Sequence, residues 1–105
     1  MKSVLISGGA GFIGSHLCDR LFMRTGIQKL VVVDNLWTGL FENIAHIRDP
    51  RFHFVKSDVE TLQTSDKFDE IYHLASPASP PWYMKEPKRT ISANLLGAFR
   101  LLDLL

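Results

Sequence analysis

The chain has 105 residues, room for one domain and no more. Its 46% hydrophobic and 22% charged residues are ordinary for a soluble globular protein, and a formal net charge of +1 gives no reason to expect nucleic acid or an anionic membrane as a partner. A single cysteine excludes an internal disulfide and no run approaches the ~20 apolar residues of a membrane span, so a reducing, cytoplasmic setting is the expectation.

Val4-Leu5-Ile6-Ser7 reads as a strand that runs straight into Gly8-Gly9-Ala10-Gly11-Phe12-Ile13-Gly14, and these glycines cut the apolar run too short for a signal peptide. Gly8 allows a sharp turn off the strand. Gly11 lets backbone approach a pyrophosphate with no Cβ in the way, and Gly14 lets a helix pack close to the sheet. That helix is expected over residues 13–24, with Ile13, Leu17 and Leu21 recurring on one face beside Cys18 and Phe22, while Ser15, Asp19 and Arg20 point away. Gly26 is its stop signal. Its first N–H groups and positive dipole end suit phosphate. The strand at 30–34 is continuously apolar, as a parallel strand covered on both faces should be. It ends in Asp34, about 20 residues further on, where an acid can accept both hydroxyls of an adenosine ribose. Together these parts point to dinucleotide binding. NAD is expected rather than NADP, because Asp34 is acidic and Asn35 is not basic.

Residues 40–48 are expected to form a short helix with Leu40, Phe41, Ile44 and Ile47 inward, ended by Pro50. Phe52-His53-Phe54-Val55 is a third strand, followed at once by Asp58-Val59, and Leu62 and Phe68 should pack around a short turn or helix. Residues 69–74 are a fourth strand. Pro77, Pro80, Pro81 and Pro87 then exclude a regular helix or central strand from Ala75 to Arg89. A last helix runs from about Thr90 to the end, with Ile91, Leu95, Ala98, Phe99, Leu102 and Leu105 at helical spacing. This alternation predicts an α/β fold: a Rossmann-type, doubly wound parallel sheet of about four strands in the order 3-2-1-4, incomplete beside the usual six, as one NAD-binding domain over 1–105. The carboxyl ends of strands 1 and 4, at Ser7-Gly8 and Leu74-Ala75, then flank the ligand crevice, with the proline-rich loop emerging beside the glycines. An unpaired edge on strand 4 predicts marginal stability.

Other readings of these residues are weaker. A phosphate-binding NTPase loop needs Gly-Lys-Ser/Thr, which is missing. Methyltransferases also place glycines after strand 1 and an acid after strand 2, but the Gly-x-x-Gly-x-x-Gly spacing and the proline-rich loop argue against that class. His16, His46, His53 and His73 fall on different elements, so no metal site is expected, and His73 reads as packed rather than catalytic. Cys18 reads as a small core residue. Asp58 suits the cap of the following turn, and Trp37 is a pocket wall or packing.

The glycine loop, Asp34-Asn35, Thr38-Gly39 and Asp58-Val59 resemble the extended short-chain dehydrogenase/reductase superfamily of nucleotide-sugar epimerases, dehydratases and decarboxylases. The segment from Tyr72 through His-Leu-Ala-Ser-Pro-Ala-Ser-Pro-Pro to Trp82-Tyr83 is similar to the strand-4 loop of UDP-glucuronate decarboxylases. The resemblance implies that Gly8, Gly11, Phe12, Ile13 and Gly14 cradle pyrophosphate. It implies that Asp34 holds the adenosine ribose with Asn35, Thr38 and Gly39, and that Asp58 and Val59 bracket adenine. Leu74, Ala75 and Ser76 would line the path to nicotinamide, and Thr90 would touch the cofactor. Pro80, Pro81, Tyr83, Arg89 and Asn94 would border the UDP-sugar substrate. Members of the family usually carry lysine where Arg89 stands, so a point charge becomes a planar fork.

The superfamily's catalytic pair is a tyrosine with a lysine four residues on. Here Tyr72 and Tyr83 are followed at that distance by Ser76 and Pro87. The resemblance therefore implies the amino-terminal, NAD-binding part of an enzyme that converts UDP-glucuronate to UDP-xylose through a 4-keto intermediate, inactive alone and a homodimer when complete. A nucleotide-sugar 4-epimerase or 4,6-dehydratase fragment, or a non-catalytic NAD-binding module, are the competing readings.

Overall fold

In the computed structural model, which describes residues 1–75 and 84–105, the first apolar run is strand β1 (Lys2–Ser7), and the glycine turn delivers it into helix α1 (Phe12–Phe22). Strands β2 (Ile27–Asp34), β3 (Phe52–Lys56) and β4 (Glu70–His73) and helix α2 (Pro87–Leu102) follow, with single 3₁₀ turns at Phe41–Asn43 and Val59–Thr61. The four strands pair in parallel in the order β3-β2-β1-β4, the order read from the sequence. Successive side chains of β1 and β2 go to opposite layers, as the pleat dictates. Val4, Ile6, Leu30 and Val32 pack with Cys18 and Leu21 of α1, while Leu5, Val31 and Val33 pack with Val59, Leu62, Phe68 and Leu101. Both faces are covered, which is why these strands are apolar without alternation.

Both helices turn their small residues inward. The buried face of α1 is Gly14, Ser15, Cys18 and Leu21, so Ile13 is 69% exposed and Ser15 buried, the reverse of the expectation for those two. Close approach is the cause: a Cβ on Gly14 would lie 2.4 Å from the Gly8 carbonyl oxygen. Burial, and then the neighbouring Asp19, push the Cys18 thiol up to about 12, so it stays protonated and inert at neutral pH. Helix α2 begins at Pro87, a residue suited to a first turn, rather than near Thr90. It packs through Ala93, Gly97 and Leu101, followed by Leu104. A Cβ on Gly97 would lie 2.6 Å from Val59 Cγ1, and the larger residues Ile91, Leu95, Phe99 and Leu102 are exposed.

The helix expected over 40–48 is instead one 3₁₀ turn. The Ala10 carbonyl accepts from both the Leu40 N–H (3.0 Å) and the Asn43 side-chain amide (2.9 Å), tying this segment to the glycine turn. Ile44 is core and Ile47 packs against it, but Leu40 and Phe41 are exposed, Phe41 with its ring 5.5 Å from that of Phe54.

At the amino end of the sheet Glu70 joins β4 to β1 and to the end of α1. Its carboxylate takes a bidentate pair from Arg24 (3.2 Å each), one bond from Lys2 Nζ (2.9 Å) and one from Tyr72 OH (2.9 Å). Those bonds, Arg24 first, hold the Glu70 carboxyl down at about 2, from an ordinary 4.5. A carboxyl depressed by folding stabilises fully above its unfolded pKa and loses that contribution as pH falls through the folded one. Stability should therefore decline between pH 4.5 and 2 as Glu70 protonates. Thermal melts across that range should show a shallower decline for Glu70→Gln, from a lower starting point at neutral pH.

Candidate functional site

The carboxyl ends of β1 and β4 meet at Ser7, which is fully buried. Its Oγ accepts from the Leu74 N–H (3.0 Å) and the Ala75 N–H (3.3 Å) and lies 2.7 Å from His73 Nδ1. The Leu74 N–H is shared with the Ser7 carbonyl oxygen (2.9 Å); with two N–H donors already facing the hydroxyl, its own proton is the one left for His73 Nδ1. The ring's own N–H is then on Nε2, where it donates to the Ala93 carbonyl of α2 at 3.1 Å. One neutral tautomer of His73 thus ties β1 and β4 to α2. Gly8 follows at φ +75°, and a Cβ there would lie 2.6 Å from the Leu74 carbonyl oxygen, so only glycine lets the two strand ends close. Ser7→Ala would strand the His73 acceptor, and denaturant unfolding should read a loss of about 1–3 kcal/mol.

Asp34, at the end of β2, is 7% exposed. One carboxylate oxygen accepts from the Ala10 N–H (3.0 Å) and the other from the Leu36 N–H (2.8 Å). An ionised carboxylate offers about four acceptor positions, so about two remain for hydroxyls. Asn35 accepts from the Trp37 N–H (2.9 Å) and donates to Asp58 Oδ1 (2.7 Å), drawing the segments after β2 and β3 together. The Asp58 side chain does not cap the 3₁₀ turn that follows it.

These elements enclose a cavity of about 560 Å³, within the range of small-ligand sites. The glycine turn contributes Gly8, Gly11, Phe12, Ile13 and Gly14, and the end of β2 with its loop contributes Asp34, Asn35, Thr38 and Gly39. Asp58 and Val59 line it after β3, Leu74 and Ala75 after β4, and Arg89 from α2. Thr90 and Asn94 do not line it: α2 turns Arg89 and Ala93 toward it, four residues apart, and their successors lie a hundred degrees round the helix. Ser76, Pro80, Pro81 and Tyr83 fall outside the described residues. Trp37 is a wall of the cavity, and Ser57, Glu60, His73 and Ala93 also line it. The sequence reading passed over Ser57, Glu60 and Ala93, whose place depends on how the turn after β3 meets α2. A Cβ on Gly39 would sit 2.9 Å from Asp34 Oδ2, so that glycine lets its loop fold over the acid.

Over residues 4–105 the chain matches the NAD dependent epimerase/dehydratase family. It belongs to that family. The fold, the strand order and the NAD cofactor of the family are those read from the sequence. Among its relatives, UDP-glucuronic acid decarboxylase 1 of Danio rerio is 47% identical over 105 residues, 98% of this chain and 24% of that protein. UDP-glucuronic acid decarboxylase 3 of Arabidopsis thaliana is 48% identical over 102 residues, 96% of this chain and 29% of that protein. The chain therefore spans about a quarter of the length of these relatives. Among solved structures, a UDP-N-acetylglucosamine 4-epimerase from Methanobrevibacter ruminantium M1 superposes with a TM-score of 0.81 at 30% identity, covering 98% of this chain and 33% of that one. The Bordetella bronchiseptica enzyme WbmF in complex with NAD+ gives 0.80 at 29% identity, covering 99% and 32%.

Proposed function

We propose that this chain is the part of a UDP-glucuronate decarboxylase that holds NAD. The observation that carries the cofactor reading is Gly11. Gly8 and Gly14 are glycine because the chain's own backbone leaves no room for more. Gly11 has an unremarkable φ of −77°, and a Cβ there would meet only the Gly8 carbonyl oxygen, at 3.3 Å. It stands at the start of α1, where the first N–H groups have no partner within the helix, so a phosphate can approach the main chain there. The glycine turn would seat the pyrophosphate, and Asp34 would take the adenosine ribose with Asn35, Thr38 and Gly39 around it. Asp58 and Val59 would bracket adenine, leaving nicotinamide toward Leu74 and Ala75.

The substrate reading rests on sequence. Identity to the decarboxylases is 43–48%, against 27–33% for the matching solved structures, and the Ala75–Tyr83 string resembles the decarboxylase type. NAD held there would supply reversible hydride transfer at C4 of the sugar. The residues of this chain bind, orient and retain that cofactor. Within the 105 residues no tyrosine is followed four positions on by lysine, so the chain offers no base of the superfamily's type for the C4 hydroxyl.

Calorimetric titration should therefore give saturable NAD binding and a clear preference over NADP, without UDP-xylose formation from UDP-glucuronate. Gly11→Ala, with its Cβ tight against the Gly8 carbonyl oxygen at 3.3 Å, should lower the melting temperature only slightly and weaken NAD at least about tenfold, roughly the loss of one charge-assisted hydrogen bond. Gly14→Ala should lower the melting temperature further. Unchanged NAD affinity in Gly11→Ala would refute the assigned seat, and UDP-xylose formation by the 105-residue chain would refute the division of labour.

A further inference from the structure

The charges that line the cavity do not match the ligand proposed for it. Asp34, Asp58 and Glu60 contribute three carboxylates, and the one cationic side chain among the described lining residues is Arg89. A pyrophosphate brings two more negative charges. Arg89 makes no ion pair with any carboxylate among the described residues. Its Cζ lies instead over the ring of Trp37, 4.1 Å from the centroid, so the pair spans from the loop after β2 to the first turn of α2.

The ring is held in place from its own side. Leu36, just before it, is the one non-glycine residue with positive φ (62°) among those described, a conformation that persists only where its surroundings impose it. Here the side chains of Asp34 and Asn35 impose it, by accepting the N–H groups of Leu36 and Trp37. The acid expected to hold the ribose therefore also fixes Trp37, and Trp37 holds Arg89. A guanidinium meets an aromatic ring with its face, which leaves its N–H fork free in the plane to donate to two oxygens of one phosphate. An ammonium on the same stem has no such division of face and edge.

We propose that Trp37 positions Arg89 as the side chain that neutralises the cofactor's pyrophosphate, opposite the glycine turn, in place of the substrate-bordering role that the family resemblance implies for it. The proposal rests on the cofactor reading above, and adenosine separates the two because it carries the ribose and adenine without phosphate. In the full 105-residue chain, Arg89→Gln should weaken NAD about tenfold, as expected for a lost charge-assisted hydrogen bond. NMR titration with adenosine should change by less than about twofold, since no adenosine contact is lost. Trp37→Leu should weaken NAD to a similar degree, and the double variant should lose little more than either single one, because the two residues act as a unit. Arg89→Lys should recover only part of the loss. Equal weakening of NAD and adenosine in Arg89→Gln, additive losses in the double variant, or full recovery with lysine would overturn the proposal. A wild-type chain that fails to bind NAD would fail the cofactor reading itself, whereas NAD binding unaffected by Arg89→Gln would fail this inference alone.

Discussion

Ser7 Oγ lies at the one place in the sheet where the chain must leave in two directions. β1 passes into the glycine turn and α1 on one side, β4 into its loop and α2 on the other, and the strand ladder ends there, with the Leu74 N–H on the Ser7 carbonyl and the Ala75 N–H beyond its reach. The hydroxyl accepts two of those N–H groups and gives its proton to His73, which passes the connection on to α2. Buried polar groups are tolerated only when paired, and here the pairing also sets the distance between the two strand ends. The cavity opens over that divide, so its depth follows from a hydroxyl that no ligand need touch.

A second constraint follows from the first. Elements that leave a narrow divide must pack close to the sheet, and both helices do so through their small residues. Gly14 with Cys18 and Gly97 with Ala93 face inward, although bulkier apolar side chains stand one or two positions away. Apolar area buried per residue is sacrificed there for proximity, and the larger residues of α2 are left on the outer face.

This explains what was legible in the sequence. The strands were, because β1 and β2 are buried on both faces and their buried positions before Ser7 and Asp34 all take apolar residues. So were the glycine turn and Asp34, since each residue type there answers a distinct geometric need. The orientation of the helices was not: periodicity locates a stripe of large residues, whereas Ile13 and Phe99 are on the outside because of close contacts made by Gly14 and Gly97. The segment from Leu40 to Arg48 has the apolar spacing of a helix, but beside its local turns it is tied by Leu40 and Asn43 to the Ala10 carbonyl, far earlier in the chain, and no local pattern announces such a tether. Trp37 and Arg89 were separately visible as residues, and only the fold brings them together.

Asp34 has a consequence for how this scaffold can change. A change of cofactor phosphate is usually thought of as the exchange of one acid at the end of the second strand. Here that acid also anchors Ala10 in the glycine turn and Leu36 in the loop that carries Trp37. Replacing it for the sake of a new ligand removes two struts from the cavity at the same moment, so a productive exchange has to arrive with substitutes for both. Under the proposed assignment of Asp34, cofactor choice and loop architecture are coupled, because losing its carboxylate leaves the N–H groups of Ala10 and Leu36 without that acceptor.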